Sequence, residues 1–297
     1  MPGTSDSIYT FHLQRANVRG VLVHLDEVWN EVRTLSTNAP SVTRQLGEAL
    51  AASALFTGAL KYEGSLSVHL RNAGVLRLLF AECTHDGHLR GIARIDDGAE
   101  AGASVDLQDP RAQLAITIEN ARTDTRYQGL VPVDAEQLSR AFEGYFERSE
   151  QLPTRIVLAA DAGRCAGIML QDVAREGGVS LRQDADAWNR VEHLLATLTE
   201  VELLELPAET LLLRLFHEEE VLLQPPRPLR FKCSCSPERV AGMLRSLGAE
   251  EARAALAETG EMKITCEFCN RDYRMDEVDI AALFAAQPLA PGPQSAQ

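Results

Sequence analysis

Short alternating runs of apolar and polar residues dominate the first half of the chain. Leu66, Val68 and Leu70 alternate with polar neighbours, as do Leu114, Ile116 and Ile118, and this period of two predicts β-strands. Asn72-Ala73-Gly74 turns the first of these into a further strand over Val75–Ala81, and His85-Asp86-Gly87 turns the chain again before Ile92–Ile95. Helical spacing replaces alternation at Val42, Leu46, Ala49, Leu50, Ser53 and Leu60, behind the start signal Pro40-Ser41. Ala51, Ala52, Ala54 and Gly58 make that helix small-sided and suited to close packing. A further helix is expected from Asp134, with Gln137 completing a capping box and Leu138, Ala141, Phe142, Tyr145 and Phe146 as its apolar face. Strands joined by short turns pair antiparallel, so residues 1–178 are expected to form an α+β core domain.

The pattern changes after Gly178. Leu194, Leu195, Leu198, Val201 and Leu204 recur at helical spacing among many glutamates, and Arg182 to Arg230 carries five Arg against ten Asp or Glu. Like charges weaken a helix, while the leucines need a surface to cover. Residues 179–230 therefore read as a helical linker packed on the core domain and only moderately held, although an ordinary amphipathic subdomain has the same composition. Gln224-Pro225-Pro226-Arg227-Pro228 ends the helical pattern. In residues 231–286, Ser236-Pro237 starts a short helix whose face is Val240, Met243, Leu244 and Leu247 and whose end is Gly248. A second short helix runs to Gly260, and Met262–Thr265 and Tyr273–Met275 read as strands around a cysteine-bearing turn. Asp276 can cap a last helix holding Ile280 and Leu283. The Pro/Gly/Ser/Gln-rich tail, 287–297, is expected to be disordered.

Charge narrows the function classes. The 297 residues hold 29 Lys+Arg and 43 Asp+Glu, a net charge of −14. Such a chain is poorly suited to neutralising nucleic-acid phosphates or docking on an acidic membrane. No apolar run approaches the ~20 residues of a membrane span, and Met1 to Gln14 lacks the apolar stretch of a signal peptide. These features lead us to expect a cytoplasmic protein with neither nucleic acid nor membrane among its partners.

Six cysteines are too few for a disulfide scaffold, but four of them cluster. Cys233-Ser-Cys235 and Cys266-Glu-Phe-Cys269 are separated by 30 residues. Two close pairs of thiolates suit a tetrahedral Zn2+, with an iron–sulfur cluster as the weaker alternative, and a module with few large apolar side chains needs a metal to fold. Four thiolate ligands close the coordination sphere and leave no position for a reacting water, which disfavours a hydrolytic zinc enzyme. The site is then either a static structural knuckle or a redox switch, since thiolates are what oxidants attack. Lys232, Lys263 and Arg271 flank the ligands and are placed to attract anionic or polar oxidants. Spacing does not choose between these readings.

Other candidates are weaker. Cys83 and Cys165 lack partners at metal spacing and read as buried inert thiols. His85 and His88 flank a turn, and Gly163-Arg-Cys-Ala-Gly167 lacks the Gly-Lys-Ser/Thr ending of a phosphate loop. A zinc-ribbon adaptor with a purely structural site is the main alternative, but residues 231–286 hold seven Lys or Arg against ten Asp or Glu, without a basic stripe. A thiol oxidoreductase would set one CxxC beside a thioredoxin-like βαβ pattern, which is not seen.

The words around the cysteines carry a resemblance. Phe231-Lys-Cys-Ser-Cys-Ser236 and Thr265-Cys-Glu-Phe-Cys-Asn270, with the intervening 30 residues, resemble the redox-switch domain of the redox-regulated heat-shock chaperones, the thirty-three-kilodalton chaperonins. The resemblance extends to Leu60-Lys-Tyr-Glu-Gly64, to Tyr145-Phe-Glu-Arg-Ser-Glu-Gln-Leu-Pro-Thr154 and to Arg214-Leu-Phe-His-Glu-Glu219, and so covers nearly the whole chain. It implies an ATP-independent holdase, not an enzyme, that binds unfolding client proteins under oxidative stress. It further implies one Zn2+ per chain on Cys233, Cys235, Cys266 and Cys269 in the reduced, inactive form. Oxidation would pair Cys233 with Cys235 and Cys266 with Cys269, release zinc, unfold the linker and favour a homodimer.

Overall fold

A computed structural model describes residues 6–35, 38–96, 104–131, 133, 136–173, 184 and 186–285. The expected tail, the first residues of the expected linker and the helix start at Asp134 lie outside these. Contacts cluster into two compact units, Met1–Lys232 and Cys233–Gln297.

The first unit begins with β1 (Ser7–Leu13), β2 (Val18–Leu25), α1 (Glu27–Thr34) and α2 (Pro40–Ala59). It continues through β3 (Gly64–Ala73), β4 (Leu76–Thr84), β5 (His88–Ile95), β6 (Gln113–Asn120), β7 (Thr125–Val131) and α3 (Leu138–Ser149). Then come β8 (Thr154–Ala160), β9 (Cys165–Asp172), α4 (Ala187–Leu195), α5 (Glu200–Glu205) and α6 (Ala208–Phe216), and finally the short strands β10 (Val221–Leu223), β11 (Arg227–Pro228) and β12 (Arg230–Phe231). One sheet has the order β10-β1-β2-β9-β8, with β11 also on β1, and the other β12-β5-β4-β3-β6-β7. The pairings are antiparallel except β12 on β5, so the expected α+β class with antiparallel strands is what the chain adopts.

Helix α2 lies between the sheets and is buried nearly all round from Leu46 to Ala59. A helix in that position must be small as well as apolar. A Cβ on Gly58 would meet Ile8 and Val21 side-chain carbons at 2.8 Å, and one on Gly47 would meet the Ala160 Cβ at 2.6 Å. Buried hydroxyls find partners along the helix: Ser53 donates to the Leu50 carbonyl and Thr57 to that of Ser53, each at 2.8 Å. Phe56 adds edge-to-face contacts with Phe142 and Phe146 of α3, at 5.0 and 5.2 Å between centroids. Tyr145 and Phe146 are core residues, as their spacing predicts. Among the described residues helix α3 runs from Leu138, and its N-cap Gln137 makes no side-chain cap; the expected cap at Asp134 lies outside the described residues.

The first sheet uses both faces. Along β9, Cys165 and Met169 face α2, while Ala166, Ile168 and Leu170 face the other way, as a period of two demands. That second face is covered by α4–α6 through Val191, Leu195, Leu203, Leu211, Leu215 and Phe216. The layer is also fastened by polar contacts. Arg155 pairs with Glu192 and Arg44 with Glu200, each at 2.5 Å, and Arg164 donates to the Leu204 carbonyl at 3.0 Å.

The apolar series from Leu194 to Leu204 is divided between two helices. Helix α4 ends at Leu195, and α5 restarts at Glu200 behind a capping box of Thr199 and Glu202. The restart resets the helical phase, so Leu203 is buried and Val201 is 61% exposed.

The second unit contains α7 (Pro237–Leu247), α8 (Ala249–Thr259), the hairpin β13 (Met262–Thr265) and β14 (Asp272–Met275), and α9 (Glu277–Ala285). Its core consists of Val240, Leu244, Ala252, Leu256, Met262, Tyr273 and Ile280. Met243 and Leu247, expected on the apolar face of α7, are half exposed instead.

Candidate four-cysteine centre

Local sequence builds the second unit around its cysteines. The Ser236 hydroxyl accepts from the Arg239 N–H at 3.2 Å and starts α7 with Pro237 in its first turn. This fixes where the chain leaves Cys233-Ser-Cys235. Gly248, at φ 108°, and Gly260, at φ 75°, allow the breaks after α7 and α8. The Asp276 carboxylate accepts from the Asp279 N–H at 2.9 Å and caps α9, as expected.

The other cysteine pair sits on the turn between β13 and β14. The Cys266 N–H donates to the Arg271 carbonyl at 2.9 Å, and the Asn270 N–H donates back to the Cys266 carbonyl at 2.8 Å. Asn270 takes the left-handed conformation this turn needs, at φ 55°. Two distant segments thereby bring four sulfurs together. Cys233 and Cys266 sulfurs are 3.6 Å apart, Cys235 and Cys269 sulfurs 3.4 Å, and all four lie within 4.8 Å of one another. None is disulfide-bonded. A tetrahedral centre with metal–sulfur bonds of ~2.3 Å has edges of about 3.8 Å, so the donor set and spacing fit a thiolate-loving ion such as Zn2+.

The thiols differ in surroundings. Burial pushes Cys233 up to about 12 and also raises Cys269. At Cys235 burial acts the same way, but the nearby Tyr273 phenol and the neighbouring thiols outweigh it and bring this group down to about 7. Of the flanking cations, Lys263 is tied to Asp272 at 3.0 Å, and Arg271 lies beside Tyr273, Cys235 and Cys269. Lys232 belongs to the first unit.

The remaining cysteines lie elsewhere. Cys83 in β4 and Cys165 in β9 are fully buried, and burial pushes Cys83 up to about 12 and Cys165 well above the ordinary thiol range. Both therefore stay as unreactive thiols. His85 and His88 flank the β4–β5 turn, and Gly163 to Gly167 spans the β8–β9 hairpin turn. Among the described residues, the four cysteines are the group of Cys, His, Asp or Glu close enough to share a metal. The place of Tyr273 against Cys235 escapes a spacing argument. Its signal is a hydroxyl-bearing aromatic two residues before Met275, on the same face of β14.

Against protein-family models, the chain matches the one described as Hsp33 protein over residues 6–276. Among curated relatives, the 33 kDa chaperonin of Ectopseudomonas mendocina is 43% identical over 95% of this chain and 96% of its own length. That of Nitrosococcus oceani is 39% identical over 96% of each. The crystal structure of the 33 kDa chaperonin from Thermotoga maritima superposes with a TM-score of 0.79 at 22% identity, covering 95% of this chain and 98% of the other, and shares the fold. No helix among the described residues is long and apolar enough to cross a membrane.

Proposed function

The chain belongs to the Hsp33 protein family, and from that premise we propose that it is a redox-regulated, ATP-independent holdase whose four-cysteine unit senses oxidants. One observation carries this reading: four thiols converge within 4.8 Å in a unit with a small apolar core. Held by Cys233, Cys235, Cys266 and Cys269, Zn2+ would keep the sulfurs as thiolates and contribute ~10–16 kcal/mol to the folding of the unit.

On oxidation, Cys233 pairs with Cys235 and Cys266 with Cys269. In each pair the two thiolates give two electrons to one peroxide, which takes up two protons from solvent and leaves as two waters, while the new disulfide no longer holds the metal. The nearest sulfurs in the structure belong to different pairs, at 3.6 and 3.4 Å, so any disulfide requires closure to ~2.05 Å. Once the cluster opens, short tethers favour closure within each pair over closure across 30 residues.

The response reaches the first unit through chain continuity. Cys233 follows Lys232, whose N–H donates to the Leu89 carbonyl at 3.0 Å, and β12, β11 and β10 lead back to α6. Residues 179–230 act as the linker. When the second unit loses order, the strands that anchor α6 lose their continuation, and α4–α6 separate from the first sheet. Leu203, Leu211, Leu215 and Phe216 and the sheet face beneath them then become available to unfolded clients. The oxidised protein acts as a homodimer in the cytoplasm and catalyses no reaction.

Light scattering of a heat-denatured client, without nucleotide, tests this reading. The oxidised protein should suppress aggregation stoichiometrically and the reduced, zinc-loaded protein should not. Equal activity in both states would reduce the centre to a structural knuckle.

A further inference from the structure

Tyr273 stands out within the second unit. Its side chain is 9% exposed and belongs to the core against which Cys235 and Cys266 pack. Its hydroxyl oxygen is fully shielded from solvent yet has no hydrogen bond of full geometry among the described residues. An unsatisfied buried hydroxyl is costly and is retained where another state satisfies it. Its surroundings name that state, for Cys235 and Cys266 pack against the core that holds the ring, and Arg271 lies two residues before it on the same hairpin.

A neutral thiol is a weak acceptor, whereas a thiolate is a strong one. The ring cannot swing away, because Tyr273 is paired with Ile264 across the hairpin and packed into the core. We propose that Tyr273 is a positioning residue of the thiolate centre, its hydroxyl donating to Cys235 Sγ in the metal-loaded state with Arg271 orienting the phenol from the solvent side. The proposal rests on the metal-centre reading above. It makes Cys235 a supported ligand and makes the hold on the metal depend on a residue that is not itself a ligand. Partners of this kind affect metal affinity about 10- to 100-fold.

The test uses the full-length reduced chain loaded with cobalt(II), whose thiolate-to-metal charge-transfer bands report on the sulfurs, followed by displacement with zinc against a chelator. A hydrogen bond lowers the energy of sulfur lone pairs. In Tyr273→Phe, which keeps the ring in the core, the charge-transfer band should therefore move to lower energy, and affinity should fall by about 10- to 100-fold. Arg271→Gln, at an exposed position outside the core, should shift the band the same way by less, and it carries the test if Tyr273→Phe fails to fold. An unmoved band in the folded variants overturns the proposal, even if affinity falls, because that loss would come from packing alone. A wild-type chain without a four-sulfur cobalt spectrum overturns the metal-centre reading, and this proposal with it.

Discussion

The core around α2 and the four-cysteine unit hold their chains by different means. Around α2, two sheets close on a helix buried nearly all round from Leu46 to Ala59, with Trp29, Phe56 and Phe142 among the largest fully buried side chains. Burial of that extent sustains a fold without help, at ~25 cal/mol for each Å² of apolar surface removed from water. In the second unit the core is a short set of aliphatic side chains and one tyrosine, while Met243, Leu247 and Val278 stay exposed. A module of that size seldom holds itself together by burial alone. On the proposed reading, stability there depends on four sulfurs, and so does the chemistry that removes it. The layer α4–α6 combines apolar burial on one face with ion pairs at its edge.

The largest effect expected from this contrast comes from Cys269→Ser or from a strong chelator on the reduced protein. Either should remove most of the ~10–16 kcal/mol attributed to the ion and unfold the second unit alone. Limited proteolysis should then cut within residues 233–285 while the core around α2 stays intact. Joint loss of both units would erase the contrast.

Next in size is Leu203→Ala. Leu203 is fully buried between α5 and the first sheet, and large-to-small replacement there should cost about 2–4 kcal/mol. The reduced, metal-loaded variant should show faster hydrogen exchange across α4–α6 and should suppress client aggregation. Leu198→Ala, at a half-buried position, should do the same more weakly. If α4–α6 opens in Leu203→Ala without activity, clients are held elsewhere.

Smaller changes sharpen the comparison. Val201→Ser should move stability by no more than ~0.5 kcal/mol, because that side chain faces solvent. Glu200→Gln, which breaks the exposed pair with Arg44, should cost ~0.2–1 kcal/mol at low salt and nothing measurable at high salt. Thermal unfolding at two salt concentrations measures both.

Leu203 and Val201 also show what a linear sequence conceals. The helical spacing of Leu194, Leu195, Leu198, Val201 and Leu204 assumes one uninterrupted helix, and the Thr199 cap breaks it. The convergence of the four cysteines was legible because metal chemistry constrains residue type and spacing directly. Helix α2 was legible from Pro40 and its apolar period, but its burial on every side was not, because that depends on a second sheet arriving from distant strands. Arg44–Glu200, Arg155–Glu192 and the packing of Cys235 against the core that holds Tyr273 are contacts of tertiary origin with no local periodicity to announce them.

The central claim is that oxidation in one unit loosens the α4–α6 layer of the other. Hydrogen exchange on the full-length chain, reduced and then peroxide-treated, tests it most directly when read beside client aggregation in the same samples. The account predicts that protection is lost over residues 187–216 and 233–285 together with the onset of holdase activity, while α2 and the central strands β2, β3, β4 and β9 stay protected. Full activation with residues 187–216 still protected would contradict it.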